Sequence, residues 1–250
     1  MTSAPGRTDL DAERESRWRS VSGEYGIASL RHTHWLDAEH RSYPGAPGSW
    51  AGRDGRVVGI VPLDPDAEPE EVALSPGEDA RVGKLRLRAI DRDGALALRV
   101  FDPDAPSRSE LREILSFPPN DDWVVDGVFI PAASGETRVV RSVDGYEREE
   151  TAVGEIALEV GGESVRLAVS GGSTGFSAVI ADATSGDDAY RFRFLPIGAP
   201  DSDGTVVVDF NRAYLPPCAF SDQYVCPLPP AGNRLRVRVE AGERIVDRAA

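Results

Sequence analysis

The sequence predicts an all-β fold, a single-domain sandwich or barrel-like arrangement with a short N-terminal helix and a long Pro-rich C-terminal loop. Three observations predict it. Apolar and polar residues alternate with a period of two over most of the chain. Turn dipeptides that need positive φ separate the alternating runs. After residue 21 there is neither a sustained 3.6-residue period nor a βαβ alternation.

The helix comes first. Residues 8 to 21 set Leu10, Trp18 and Val21 among acids and arginines, with Thr8 or Asp9 as candidate N-cap. A strand pattern follows at 25–31, then a hairpin from Trp50 to Val61 turning at Asp54-Gly55. Lys84 to Arg88 and Ala95 to Val100 alternate on either side of Asp91-Arg92-Asp93-Gly94, a second hairpin. Glu155 to Val160 and Ser164 to Val169 form a third, joined through Gly161-Gly162. Further strands are expected at 123–130, 137–143, 176–182, 190–195, 205–210 and 234–239, near the regular spacing of sandwiches and barrels. Ser107 to Leu115 is a second, short helical candidate. The Pro- and acid-rich stretch from Pro62 to Pro76 reads as a surface loop, and no composition break marks a linker. The expected organisation is an N-terminal helical extension over 1–21, one all-β domain over 22–246 and a tail over 247–250.

Composition excludes several functions. The chain has 250 residues, 40% hydrophobic and 28% charged, too apolar for a disordered tail. Its 28 basic residues stand against 42 acidic ones, a net charge of −14 that is the wrong sign for nucleic-acid phosphates or anionic lipid. Asp9, Asp11, Glu13 and Glu15 follow the start with no apolar run, and no window approaches the roughly 18 apolar residues of a membrane span. A soluble, cytoplasmic protein without nucleic-acid or membrane partners is expected. In that compartment Cys218 and Cys226 are read as free thiols or ligands rather than a structural disulfide.

One segment carries more information. From Asp209-Phe210-Asn211-Arg212-Ala213-Tyr214 the chain runs through Pro216-Pro217-Cys218-Ala219-Phe220 and Cys226-Pro227-Leu228-Pro229-Pro230 to Asn233-Arg234-Leu235 without a period. Five prolines stiffen it, and it holds both cysteines. Long ordered loops of this kind are often functional. Acid runs such as Asp64 to Glu71 are read as solvation.

These residues, with Ala241-Gly242-Glu243, resemble the signature of the prokaryotic domain of unknown function 1684 family. Weaker blocks extend the likeness upstream: Thr33-His34-Trp35-Leu36, Pro44 to Trp50, Leu98 to Asp102, Phe117-Pro118-Pro119 with Trp123, Asp182 to Gly186, and Arg193-Phe194-Leu195. The resemblance spans about residues 22 to 246 and implies one domain but no activity. Leu215 stands where the family pattern has Asn, and Ala189 precedes Tyr190 where it has Thr.

Three chemistries are open to these residues. A metal would take its ligands from Cys218, Cys226, His32, His34 and His40, with His32 and His34 on one face of a strand, although the seven residues between the cysteines exceed the two to four or so of a zinc knuckle. A nucleophilic Cys218 would need His34 or Arg212 beside it. The formal G-x-S-x-G of Gly171 to Gly175 is rejected, because a strand follows it and every histidine lies at 40 or earlier. Carboxylate and amide chemistry would use Asp209, Asn211, Tyr214, Asp182 and Glu243, with Arg193 or Arg212 for an anionic group. The expected function is small-molecule binding in a pocket closed by the 209–233 loop. His34, Asp209, Asn211, Tyr214, Cys218 and Cys226 would line it, with Arg193 and Arg212 as cations. The alternative is an enzyme using a Cys/His-held metal or a Cys nucleophile. The third is a structural or interaction domain in which the loop is a plug anchored by Tyr214 and Phe220. No catalytic residue, cofactor or oligomeric state is assigned.

Overall fold

The structure is a computed structural model that describes residues 7–62, 68–172 and 174–249. Ser173 of the rejected serine motif lies outside the described residues, as do part of the Asp64 to Glu71 run and the Thr8 side chain. Helix α1, Arg7–Ser22, matches the expected helix and buries Leu10 and Val21. Asp9 in its first turn and Arg19 in its last complement the helix dipole. Where the sequence reads one β domain over 22–246, the strands gather into two compact units, each with its own core.

One unit, essentially Ser16–Leu111 with Phe220–Tyr224, holds two four-stranded antiparallel sheets. Its strands are β1 (Leu30–Trp35), β2 (Arg41–Tyr43), β3 (Ala46–Arg53), β4 (Arg56–Val61), β5 (Glu70–Leu74), β6 (Asp79–Val82), β7 (Leu85–Arg92) and β8 (Ala95–Phe101). The sheet orders are β1-β8-β7-β6 and β2-β3-β4-β5. The two expected hairpins close as read. Arg53 pairs Arg56 across Asp54 (φ 49) and Gly55 (φ 71), and Arg92 pairs Ala95 across Asp93 (φ 52) and Gly94 (φ 88). These positive-φ turns match the twist of the strands they join. Trp50, Val57, Val61, Leu87, Leu98 and Val100 form the core. Gly59 lies opposite Trp50, and a Cβ there would come within 2.5 Å of the indole, so only glycine fits.

Three expectations need correction here. The 25–31 strand begins only at Leu30, because Ile27–Ser29 is a 3₁₀ turn. The surface loop at 62–76 contains β5. The helix at 107–115 is a single turn, α2 (Pro106–Ser109), after which the chain extends as β9 (Leu111–Ser116). Short apolar runs of this kind satisfy either period, and pairing decides between them.

The other unit is built mainly from Arg112–Ala219 and Val225–Asp247. It adds β10 (Val124–Pro131), β11 (Thr137–Arg141), β12 (Glu147–Thr151), β13 (Gly154–Val160), β14 (Glu163–Gly172), β15 (Gly175–Ile180), β16 (Arg193–Ile197), β17 (Thr205–Asp209) and β18 (Glu243–Arg248). Six form an antiparallel sheet in the order β16-β15-β14-β13-β10-β17, while β11-β12 and β18-β9 are two-stranded ribbons. The third expected hairpin closes at Gly161 (φ 58) and Gly162 (φ 80), with Val160 opposite Glu163. Ile156, Leu167, Ile180, Leu195, Val208 and Phe210 centre the core. β14 pairs β15 only from Ser170 to Gly172. Where the two strands part, the buried amide of Asn233 fills the gap. Its Nδ2 donates to Ala168 O and Val179 O at 2.9 Å, and its Oδ1 accepts from Ala168 N at 2.8 Å.

The expected strand at 234–239 is not formed, and that at 190–195 starts only at Arg193. Within 234–239, Leu235 N donates to Ala181 O (2.8 Å) and Val237 O accepts from Ala183 N (3.0 Å), so this stretch is held by the residues that follow β15. Arg193 is fully buried and takes the carbonyls of Val239 and Ala241, which a strand would use for pairing. β18 continues through Arg248, into the expected tail.

Candidate functional site

The start of the 209–233 segment is knit to itself and its neighbours. Asp209 caps the 3₁₀ turn Phe210–Arg212, with Oδ1 accepting from Asn211 N (3.0 Å) and Asn211 Nδ2 (2.9 Å). Asn211 also exchanges two 3.0 Å bonds with the backbone of Asn120, and Arg212 pairs with Asp209 (3.2 Å) and Glu13. Tyr214 exchanges 2.8 Å backbone bonds with Phe194 and sets its ring edge-on to it at 5.7 Å. These candidates are largely satisfied by protein partners.

Arg193 is spent in the same way. Its guanidinium pairs at 2.5 Å with Asp182, whose side chain is equally buried, and donates to Val239 O (2.9 Å) and Ala241 O. Asp182 also accepts from Thr184 N (2.8 Å) and Val239 N (3.2 Å). Arg193 is thus a buried clamp rather than a cation open to a ligand. Glu243, likewise buried, accepts from Leu215 N at 2.7 Å.

His34 sits on β1 in the other unit. Its ring stacks on His32 at 5.2 Å and faces Tyr43 at 5.1 Å, with Nε2 2.8 Å from Pro44 O. Burial, then the neighbouring His34 and Arg31, lower the His32 pKa. Among the described residues no three His, Cys, Asp or Glu side chains gather to hold a metal, so Cys218, Cys226 and His34 form no such group.

The two cysteines do come together. Cys218, half-buried, rides the 3₁₀ turn Pro217–Ala219, and its N–H points at the sulfur of buried Cys226 at 3.4 Å. Neither cysteine is in a disulfide. The Tyr190 hydroxyl lies 3.1 Å from Cys218 O and 3.6 Å from Cys218 Sγ. Arg191 lies over the rings of Tyr190 (5.6 Å) and Phe192 (5.4 Å). The hydrogen bond from Cys226, with Tyr190 and Arg191 adding to it, outweighs burial and brings the Cys218 thiol down to about 6. Tyr190 is pushed the other way, up to about 12, by burial and then by the sulfur it faces. It therefore remains a proton donor to Cys218.

A pocket of about 300 Å³ lies beyond Cys226. Its floor is the outer face of β14 and β15, from Ala168, Ser170, Ser177 and Val179, the residues that alternate with the core positions Leu167, Val169, Ala178 and Ile180. β11 and β12 supply one wall with Arg138, Arg141, Arg148 and Glu150. Pro227–Pro230, Asn233 and Arg234 supply the other. The walls are joined, since Leu228 N donates to Arg141 O (2.8 Å) and Val143 N to Cys226 O (2.9 Å). Arg138 bonds Glu150 (2.7 Å) and Ser170 Oγ (2.5 Å), and Arg148 lies 3.3 Å from Glu150. Burial raises the Glu150 pKa, but the two arginines overcome it and hold the carboxyl below its ordinary value. Arg234 is exposed, and its side chain has no ion-pair partner among the described residues. A wider concavity of about 950 Å³ lies on the outer face of β10, β13, β14 and β17, open to solvent along its length.

A family model described as a protein of unknown function (DUF1684) matches residues 109–244. The chain belongs to the DUF1684 family. The match covers the stretch that carries the thiols and the 300 Å³ pocket, and stops short of the upstream blocks from Thr33 to Asp102. No curated protein matches this DUF1684 chain. It is similar to an uncharacterised protein of Haloarcula marismortui solved in solution by NMR, at 31% identity over 52% of this chain and 75% of that one, with a TM-score of 0.44. Leu215, which departs from the family pattern, is fully buried, as nearly is Ala189, and neither lines the 300 Å³ pocket. The residues that sequence reasoning missed are Tyr190 and Arg191 at the thiols and the arginines of β11 and β12. The visible signal for the latter is a hairpin over 137–151 that sets three arginines among four acids.

Proposed function

We propose that this DUF1684 protein binds a small organic anion, a carboxylate or phosphate ester with an apolar portion, in the pocket walled by Pro227–Arg234. One observation carries the proposal. In a chain with a net charge of −14, four arginines and a single glutamate line one pocket of about 300 Å³, a volume at the lower end for small-molecule sites. Arg234 and the outer nitrogen of Arg148 that is not bonded to Glu150 supply charge-assisted donors, and Val140, Val179, Leu228 and the prolines supply an apolar wall. This keeps the ligand against the 209–233 loop but moves it from the loop's first half to its last residues. Two cysteines in the loop without a disulfide between them fit a reducing, cytoplasmic setting. Calorimetric titration with phenyl phosphate and with benzoate tests it, with benzyl alcohol as the neutral control. Both anions should bind, and Arg234→Ala should weaken them about tenfold, the effect of one lost charged hydrogen bond. Equal binding of the neutral control, or no change in the variant, overturns the proposal.

A further inference from the structure

The cysteines lie outside the pocket lining, and the pocket's chemistry does not use them. Their setting differs from that of ordinary core thiols. Cys226 is buried, Cys218 is partly open, and Cys218 N–H reaches the Cys226 sulfur at 3.4 Å. Prolines at 216, 217 and 227 flank both residues, so the backbone that carries them is stiff. The groups facing Cys218 are Cys226, Tyr190 and Arg191. All three are hydrogen-bond donors and none is a carboxylate.

We infer that Cys218 and Cys226 form a redox dithiol that reduces small hydroperoxides, with Cys218 as the attacking sulfur and Cys226 as the resolving one. In the first step the Cys218 thiolate attacks one peroxide oxygen. The S–O bond forms as the O–O bond breaks, and the leaving oxygen takes a proton from solvent to depart as water or alcohol. Cys218 is oxidised to a sulfenic acid and the peroxide is reduced. In the second step the Cys226 sulfur displaces the sulfenic hydroxyl. The S–S bond forms, the S–O bond breaks, and the thiol proton leaves with the hydroxyl as a second water. A thiol reductant restores both sulfurs by exchange. The Tyr190 hydroxyl and the Arg191 guanidinium are placed to donate to the oxygen that leaves, and the partial burial of Cys218 favours hydrogen peroxide over bulky electrophiles.

Speed alone is a weak signature. Bringing a thiol from 9.0 to about 6 makes it almost wholly thiolate at neutral pH, but the weaker nucleophilicity of a low-pKa sulfur returns most of that gain. The net advantage over an ordinary thiol is roughly fourfold. The fate of the sulfurs is the stronger test. Full-length reduced protein is treated with one equivalent of hydrogen peroxide, and thiols and intact mass are measured. Both thiols should be lost together, the mass should fall by two hydrogens, and dithiothreitol should restore it. Cys226→Ser should stop at a sulfenic acid on Cys218 that dimedone captures. Cys218→Ser should keep its remaining thiol. The rate should rise through a midpoint near pH 6, and Tyr190→Phe should move that midpoint upward while leaving the disulfide as product. Retention of both thiols in the wild-type protein overturns the inference, as does a Cys218→Ser protein that loses Cys226 as fast as the wild type loses both. If a variant fails to fold, the wild-type thiol count and mass still decide.

Discussion

The sulfur of Cys218 is charged at a pH where most thiols are not, and this has a consequence for stability as well as reactivity. Its folded-state pKa, about 6, lies below the ordinary value of 9.0. The stabilisation linked to the thiolate is therefore fully present above pH 9, shrinks as the pH falls and is gone below about 6. Denaturant midpoints of the wild type, referred to those of Cys218→Ser, should climb between pH 6 and pH 9; a constant difference across that window would contradict the lowered pKa. Little of this was legible beforehand, because thiols eight positions apart in an aperiodic loop reveal nothing of what faces them. Asp209 and Asn211 show the opposite limit. Their residue types suit either a pocket or a turn, and only the contacts to Asn120 and Arg212 show that they close on protein.

Among elements, hairpins were the most legible and irregular segments the least. Asp54-Gly55, Asp93-Gly94 and Gly161-Gly162 encode their turns locally, because few other residues tolerate those backbone angles. The stretch 234–239 alternates like a strand, yet its partners are set by Arg193 and Asp182, about 40 or more residues upstream, and by Asn233, whose amide replaces a missing piece of strand pairing. Long-range hydrogen bonds of this kind leave no local pattern. Replacing Arg193 by Met should destabilise the protein by about 3–5 kcal/mol, since it strands the buried Asp182 carboxylate and two carbonyls. Hydrogen exchange in that variant should quicken first around Val239–Glu243. Unchanged protection there would mean that the segment is held by other contacts.

Across the whole molecule, the all-β class followed from the two-residue period, but the division into two units did not. No change of composition marks it, and Phe220–Tyr224 returns to the unit of the earlier strands in the middle of a segment otherwise assigned to the later one. The overall charge bears on binding. Far from the protein a small anion meets a net −14, whereas in the pocket it meets four arginines. Association with phenyl phosphate should therefore be slowest at low salt and should quicken between about 10 mM and 150 mM salt, as the screening length contracts from about 30 Å to about 8 Å. Stopped-flow measurement checks this, and a rate that falls with salt would mean that positive potential reaches well outside the pocket.

Cys226 and Leu228 are both hydrogen-bonded to the arginine-bearing hairpin, with Pro227 between them, so one short strip of backbone carries a sulfur at one end and a wall of the pocket at the other. Two equilibria then share a mechanical part. By reciprocity, whatever factor a sulfur–sulfur bond imposes on the affinity of the pocket, an occupant of the pocket imposes on the equilibrium constant for making that bond. Where that factor differs from one, the reduction potential of the pair depends on whether the pocket is occupied.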